Sequence, residues 1–172
     1  MKLNKFLDYL GWTILVIAII IMKFFEQLID NIIKAKSFVL EHSIYGILFS
    51  FTVLFIIHKM NPNYFKSEKE KRGSAILSYI FGLTIIFMFS MGYFNIKTSK
   101  NNSKMIKAIV LKKSKNTRYG TKYLKLGIND RIERFQPNVK EWEAINERDT
   151  INLIVSKGKL GYQHILKFVN YK

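Results

Sequence analysis

The sequence predicts a membrane protein of mixed α + β class: three transmembrane helices followed by a small five-stranded β-barrel, OB-like or SH3-like. Three observations carry that expectation. Hydrophobic residues make up 49% of the 172-residue chain, yet 28 Lys and Arg stand against 12 Asp and Glu, a net charge of +16. The two properties are segregated, with 10 basic and 6 acidic side chains in residues 1–96 and 18 basic and 6 acidic in residues 97–172. After Lys104, unbroken apolar runs give way to alternation with period two. The apolar content excludes a disordered chain, and the absence of Cys excludes a disulfide scaffold or a thiolate metal site.

The transmembrane domain is expected over 1–96. Its first span, about 7–25, has an uncharged core from Leu10 to Met22, and with its flanks it reaches the ~20 residues that cross a hydrocarbon layer. Lys2 and Lys5 imitate the start of a secretory signal, but Met22-Lys23-Phe24-Phe25 offers no small-residue cleavage site, so an uncleaved anchor is expected. The second span, about 40–57, is the apolar run Ile44–Ile57 lengthened by Phe38–Leu40 and interrupted by Glu41 and His42, and the third, 75–96, contains no charge. Between the first two, Phe24, Leu28 and Ile32 recur every four residues, as do Phe25, Ile29 and Ile33, which predicts an amphipathic helix over 24–35. The stretch from Lys59 to Gly73, with Pro62 and a run of charges, reads as an exposed loop.

Small residues four apart mark close helix approach: Gly46 and Ser50 in the second span, and Ser74, Ser78 and Gly82 in the third. Packing within one chain and a homo-oligomeric face both use such stripes. Seven Lys or Arg fall near the spans on either side of the membrane. In a bacterial inner membrane the short loops lean toward an inside N-terminus and an outside C-terminal domain, because long domains translocate largely regardless of charge, while the basic stretch after the third span argues for the opposite side.

The basic β domain is expected over 104–172. Strands are read at Met105–Lys113, Lys122–Ile128, Arg131–Phe135, Thr150–Ser156 and Tyr162–Val169, with a turn at Asn129-Asp130. Asn138 followed by Glu141 is a capping-box pattern for a short helix that carries Val139, Trp142 and Ile145 on one face. Five strands with a helix between the third and fourth is the order of an OB barrel. Trp142 is the expected structural anchor of that small core.

Trp142-Glu-Ala-Ile145, Asp149 and Lys157-Gly158-Lys-Leu160-Gly161 resemble a pattern in small bacterial membrane proteins of unknown function, with Arg148 where the pattern has Gly. Spans followed by a small β-barrel also resemble the layout of NfeD-like proteins, without their Gly-rich barrel signature. Both resemblances imply a membrane-tethered interaction module.

No catalytic constellation is present, and no cofactor or metal is expected. The HExxH, GxSxG and GxxxxGK[ST] patterns are absent, and His42 and His58 lie about 24 Å apart along a helix. What exceeds expectation is basic density. Lys112, Lys113, Lys115, Arg118 and Lys122, with Tyr119 and Tyr123 among them, are the expected ligand-binding set. Such a segment is drawn to anionic lipid headgroups by ~1 kcal/mol per charge. It also suits an acidic protein partner or a nucleotide or other phosphate ligand. The expectation is therefore a non-enzymatic membrane protein that presents a basic β domain to an anionic partner, in an immunity or envelope-interaction role. The alternative is an anti-phage-type effector whose β domain senses a nucleotide and whose spans then assemble and permeabilise the bilayer.

Overall fold

A computed structural model describes residues 2–65, 69–99, 103–115 and 120–169. Three long helices, α1 (Lys2–Asp30), α2 (Ala35–Met60) and α3 (Lys69–Lys97), precede five strands and a short helix. The strands are β1 (Lys104–Lys115), β2 (Lys122–Ile128), β3 (Arg131–Phe135), β4 (Thr150–Lys157) and β5 (Gln163–Val169), with α4 (Val139–Ala144) between β3 and β4. The chain divides into two compact units, one of Met1–Glu26 and Val39–Met91, the other of Gln27–Phe38 and Gly92–Lys172.

In the first unit all three helices are long and apolar enough to cross a membrane. Their outward faces expose Phe6, Trp12, Val16, Ile20, Leu48, Phe51, Phe55 and Phe81, side chains that suit lipid rather than water. The small residues sit where helices meet. A Cβ on Gly46 would lie 3.0 Å from the Thr84 backbone, and one on Gly82 would lie 2.8 Å from Ile14. The Ser50 hydroxyl donates to the Gly46 carbonyl at 2.8 Å and lies 3.3 Å from the Ile80 carbonyl. Gly46, Ser50, Ser78 and Gly82 are buried within the chain, whereas Ser74 is exposed. Polar ties join the first part of α1 to the α2–α3 connection and to α3: Tyr64 donates to Asp8 at 2.8 Å, and Tyr79 donates to the Leu7 carbonyl at 2.8 Å.

The second unit is built on an antiparallel five-stranded sheet of order β3-β2-β1-β4-β5. Alternation writes the core directly. Leu124, Leu126 and Ile128 of β2 and Ile151, Leu153 and Val155 of β4 are buried on one face, with Val110, Phe135, Ile145 and Phe168. The β2–β3 turn is made by Asn129 and Asp130 at φ 47° and 61°, the left-handed pair that matches strand twist in a two-residue hairpin. The capping box of α4 is complete, since Asn138 accepts from the Glu141 amide and Glu141 accepts from the Asn138 amide.

This order would close into a barrel by pairing β3 with β5, but no such ladder exists among the described residues. Two things occupy the seam. The Phe135 and Phe168 rings meet edge to face with centroids 4.8 Å apart. The chain between α1 and α2 then lies along the free edge of β5: the Ile33 amide donates to the Gln163 carbonyl at 2.8 Å and the Ile165 amide donates to the Asn31 carbonyl at 2.9 Å. The same segment reaches β3, with the Lys34 amide donating to Glu133 at 3.1 Å and Arg134 pairing with Asp30 at 3.1 Å. The expected amphipathic helix over 24–35 is therefore helical only to Asp30. Residues 31–34 turn instead, because their backbone groups are used by β5 and because Lys34 takes φ 66°. Ile32, expected on the helix face, is buried against the sheet edge opposite His164.

Asn95, near the end of α3, holds the β4–β5 turn. Its Nδ2 donates to the Tyr162 carbonyl at 3.1 Å, and its Oδ1 accepts from the Leu160 amide at 3.2 Å. Gly158 is needed here because any Cβ would collide with the Asn95 carbonyl oxygen. Gly161 is needed for a different reason, its φ of 88°. The two glycines of the Lys-Gly-x-Leu-Gly turn thus serve a close approach and a left-handed bend.

Candidate basic face of the sheet

A bulge in β1 decides where its lysines point. The register runs Val110 opposite Leu126, then Lys112 opposite Lys125, so one residue is inserted at Leu111 and the phase of alternation inverts. Lys113 thereby shares the inner face with its partner Leu124, while Lys112 shares the outer face with Lys125.

Around Lys113 the sheet builds a closed cluster. Its ammonium donates to the Ile145 carbonyl and lies 4.3 Å above the Trp142 ring. The Lys122 ammonium lies 4.7 Å from the same ring and pairs with Glu143 at 3.0 Å. Trp142 is half-buried, packed against the core from α4, and its Nε1 has no hydrogen-bond partner. Two lysines expected to meet a ligand are thus engaged within the fold. Tyr123 is likewise covered, by the Arg134 guanidinium at 4.8 Å. Arg118 and Tyr119 lie outside the described residues.

On the outer face the lysines are free. Lys112 is exposed opposite Lys125, and Lys125 is in turn opposite Arg134, so three cations stand in one row across β1, β2 and β3. Neighbouring strands are about 4.8 Å apart. Like charges placed directly opposite destabilise a sheet. Asp30 partners Arg134, but among the described residues Lys112 and Lys125 have no ion pair. Lys107 is exposed further along β1, and Met105, Ile109, Leu111 and Ile132 stand exposed beside these cations. Lys115, opposite Lys122, is also exposed. Lys125 and Arg134 escaped notice in the sequence because only the strand register lines them up with Lys112.

His164 of β5 is buried with neither ring nitrogen hydrogen-bonded, and burial pushes its pKa below the usual histidine value. It is a core residue facing Ser156 in the ladder and Ile32 at the edge.

No protein-family model, curated protein or solved structure matches this chain.

Proposed function

We propose that this is a non-enzymatic membrane protein whose sheet domain binds an anionic ligand or acidic partner at the bilayer surface. The row of Lys112, Lys125 and Arg134 carries the reading. A fold gains nothing from setting cations side by side, and an anion laid across them turns a cost into charge-assisted contacts. The interleaved Met105, Ile109 and Leu111 give such a partner apolar surface to cover. On this reading the sheet works as an OB-like barrel whose gap is filled by residues 31–34 instead of a β3–β5 ladder.

One observation favours the effector reading as the second. The segment that pairs with β5 runs directly into α2, so a ligand that shifts the sheet edge also shifts the first turn of a membrane helix.

The test is affinity for two soluble polyanions, polyphosphate and polyglutamate, measured on the full chain in uncharged detergent. Replacing Lys112 and Lys125 with Gln should weaken binding at least tenfold while the thermal transition stays in place; unchanged affinity would refute the reading. The two roles separate by topology, because sensing a cytosolic nucleotide requires the sheet inside. A single Lys140→Cys substitution in this Cys-free chain, at an exposed site on α4, reports the side by impermeant thiol labelling.

A further inference from the structure

A cavity of about 820 Å³ lies in the sheet unit where the α1–α2 segment meets the turns of the sheet. Its charged lining is Lys34, Lys104, Arg131, Lys157 and Glu133. The four cations come from four separate stretches of chain: the segment after α1, the start of β1, the start of β3 and the end of β4. The one carboxylate is already used, accepting from the Lys34 amide to tie the segment to β3. Among the described residues none of the four cations has an ion-pair partner. Ser37 and Asn129 add neutral hydrogen-bonding groups to the wall.

We infer that this cavity binds a phosphate-bearing ligand. The four cations are exposed, and lining one concavity together they raise its positive potential above that of scattered surface charges. Three lysine ammonium groups and one arginine fork suit the several oxygens of a phosphate group better than a single carboxylate. The segment containing Lys34 joins two helices long enough to span a membrane, which makes an anionic lipid headgroup one source of such a phosphate. The phosphate of an anionic phospholipid and that of a soluble pyrophosphate or nucleotide offer the same chemistry. The inference rests on the anion-binding reading above and assigns it a pocket distinct from the Lys112–Lys125–Arg134 row.

The experiment uses the full chain in uncharged detergent with two probes, inorganic pyrophosphate and short-chain phosphatidylglycerol, with short-chain phosphatidylcholine as the reference lipid. Each charge-assisted contact is worth on the order of tenfold, so Lys34→Gln, Arg131→Gln and Lys157→Gln together should weaken the bound probe by at least ~100-fold. Loss of pyrophosphate binding in the triple variant identifies a soluble source, and loss of phosphatidylglycerol binding alone identifies lipid. Wild-type affinity in the triple variant for both probes overturns the pocket. If Lys112→Gln with Lys125→Gln then weakens binding instead, the broader reading survives without the pocket. If wild-type protein binds neither pyrophosphate, phosphatidylglycerol nor the polyanions, both fall. An unchanged circular dichroism spectrum and thermal transition show that the triple variant is folded; if it is not, the single variants Arg131→Gln and Lys157→Gln, each expected to lose about tenfold, decide the same question.

Discussion

Replacing Asn95 with Leu removes the side-chain amide that fastens the β4–β5 turn and keeps the branched heavy-atom skeleton of the side chain. Two contacts disappear, from Nδ2 to the Tyr162 carbonyl and from the Leu160 amide to Oδ1. They are not equivalent. The Tyr162 carbonyl keeps a second donor, the Gly158 amide at 3.0 Å, so its loss costs about 1 kcal/mol. The Leu160 amide is left in a half-buried turn without a partner, which costs about 1–3 kcal/mol. The sum, about 2–4 kcal/mol, falls on local opening of the turn. Amide hydrogen exchange of the full chain in detergent reads it directly: Leu160 should exchange at least ~30-fold faster in Asn95→Leu. Asn95→Asp keeps the acceptor and should leave Leu160 more protected than the Leu variant does. If Leu160 exchanges at the wild-type rate in Asn95→Leu, the amide does not hold this turn and the role given to Asn95 is wrong.

Three further outcomes follow from particular residues. Arg148 stands at φ 72°, a conformation that costs a side-chain-bearing residue about 1 kcal/mol, so Arg148→Gly should raise the melting temperature of the sheet unit by several degrees; a fall would contradict this. Trp142→Ala should destabilise the unit by about 3 kcal/mol, toward the low end for an aromatic because the ring is half-buried, and a change under about 1 kcal/mol would deny it the role of anchor. Burial holds His164 neutral in the fold, whereas the unfolded chain takes up a proton near the ordinary value of 6.5. Below that pH the unfolded state binds more protons, so stability should decline as pH falls through 6.5 toward the lower folded value, and His164→Leu should flatten the decline in thermal melts.

The elements that were legible in the sequence are those whose signal is local. Period-two alternation located β2 to the residue, because one face of it is buried and a slip would expose it, whereas β3, of which only Phe135 is buried, was bounded by the Asn129-Asp130 turn before it and Pro137 after it. The Asn138–Glu141 box located α4 because both halves of its bond lie within four residues. The expected membrane spans rested on long apolar runs, and three helices long and apolar enough to cross a membrane are present. What stayed hidden depends on partners distant in the chain. Residues 31–34 carry no strand pattern, yet the Ile33 amide and the Asn31 carbonyl complete the β5 edge at Gln163 and Ile165, far along the chain. Asn95 lies inside an apolar run and looks like a tolerated polar residue until the β4–β5 turn is set beside it. The candidate site divided in the same way. Basic density was plain, but the β1 bulge determines that Lys112 faces outward beside Lys125 while Lys113 turns in toward Trp142, and composition contains no trace of a bulge.

The salt dependence of polyphosphate binding by the full chain, in nanodiscs of neutral phosphatidylcholine, tests the claim of an anion-binding sheet most directly. Binding through paired cations releases counterions, so the logarithm of the affinity should fall linearly with the logarithm of salt concentration. Lys112→Gln with Lys125→Gln should make that slope shallower by about two contacts' worth, roughly 1.5 units. An affinity indifferent to salt, or a slope that the two substitutions leave unchanged, would contradict the account.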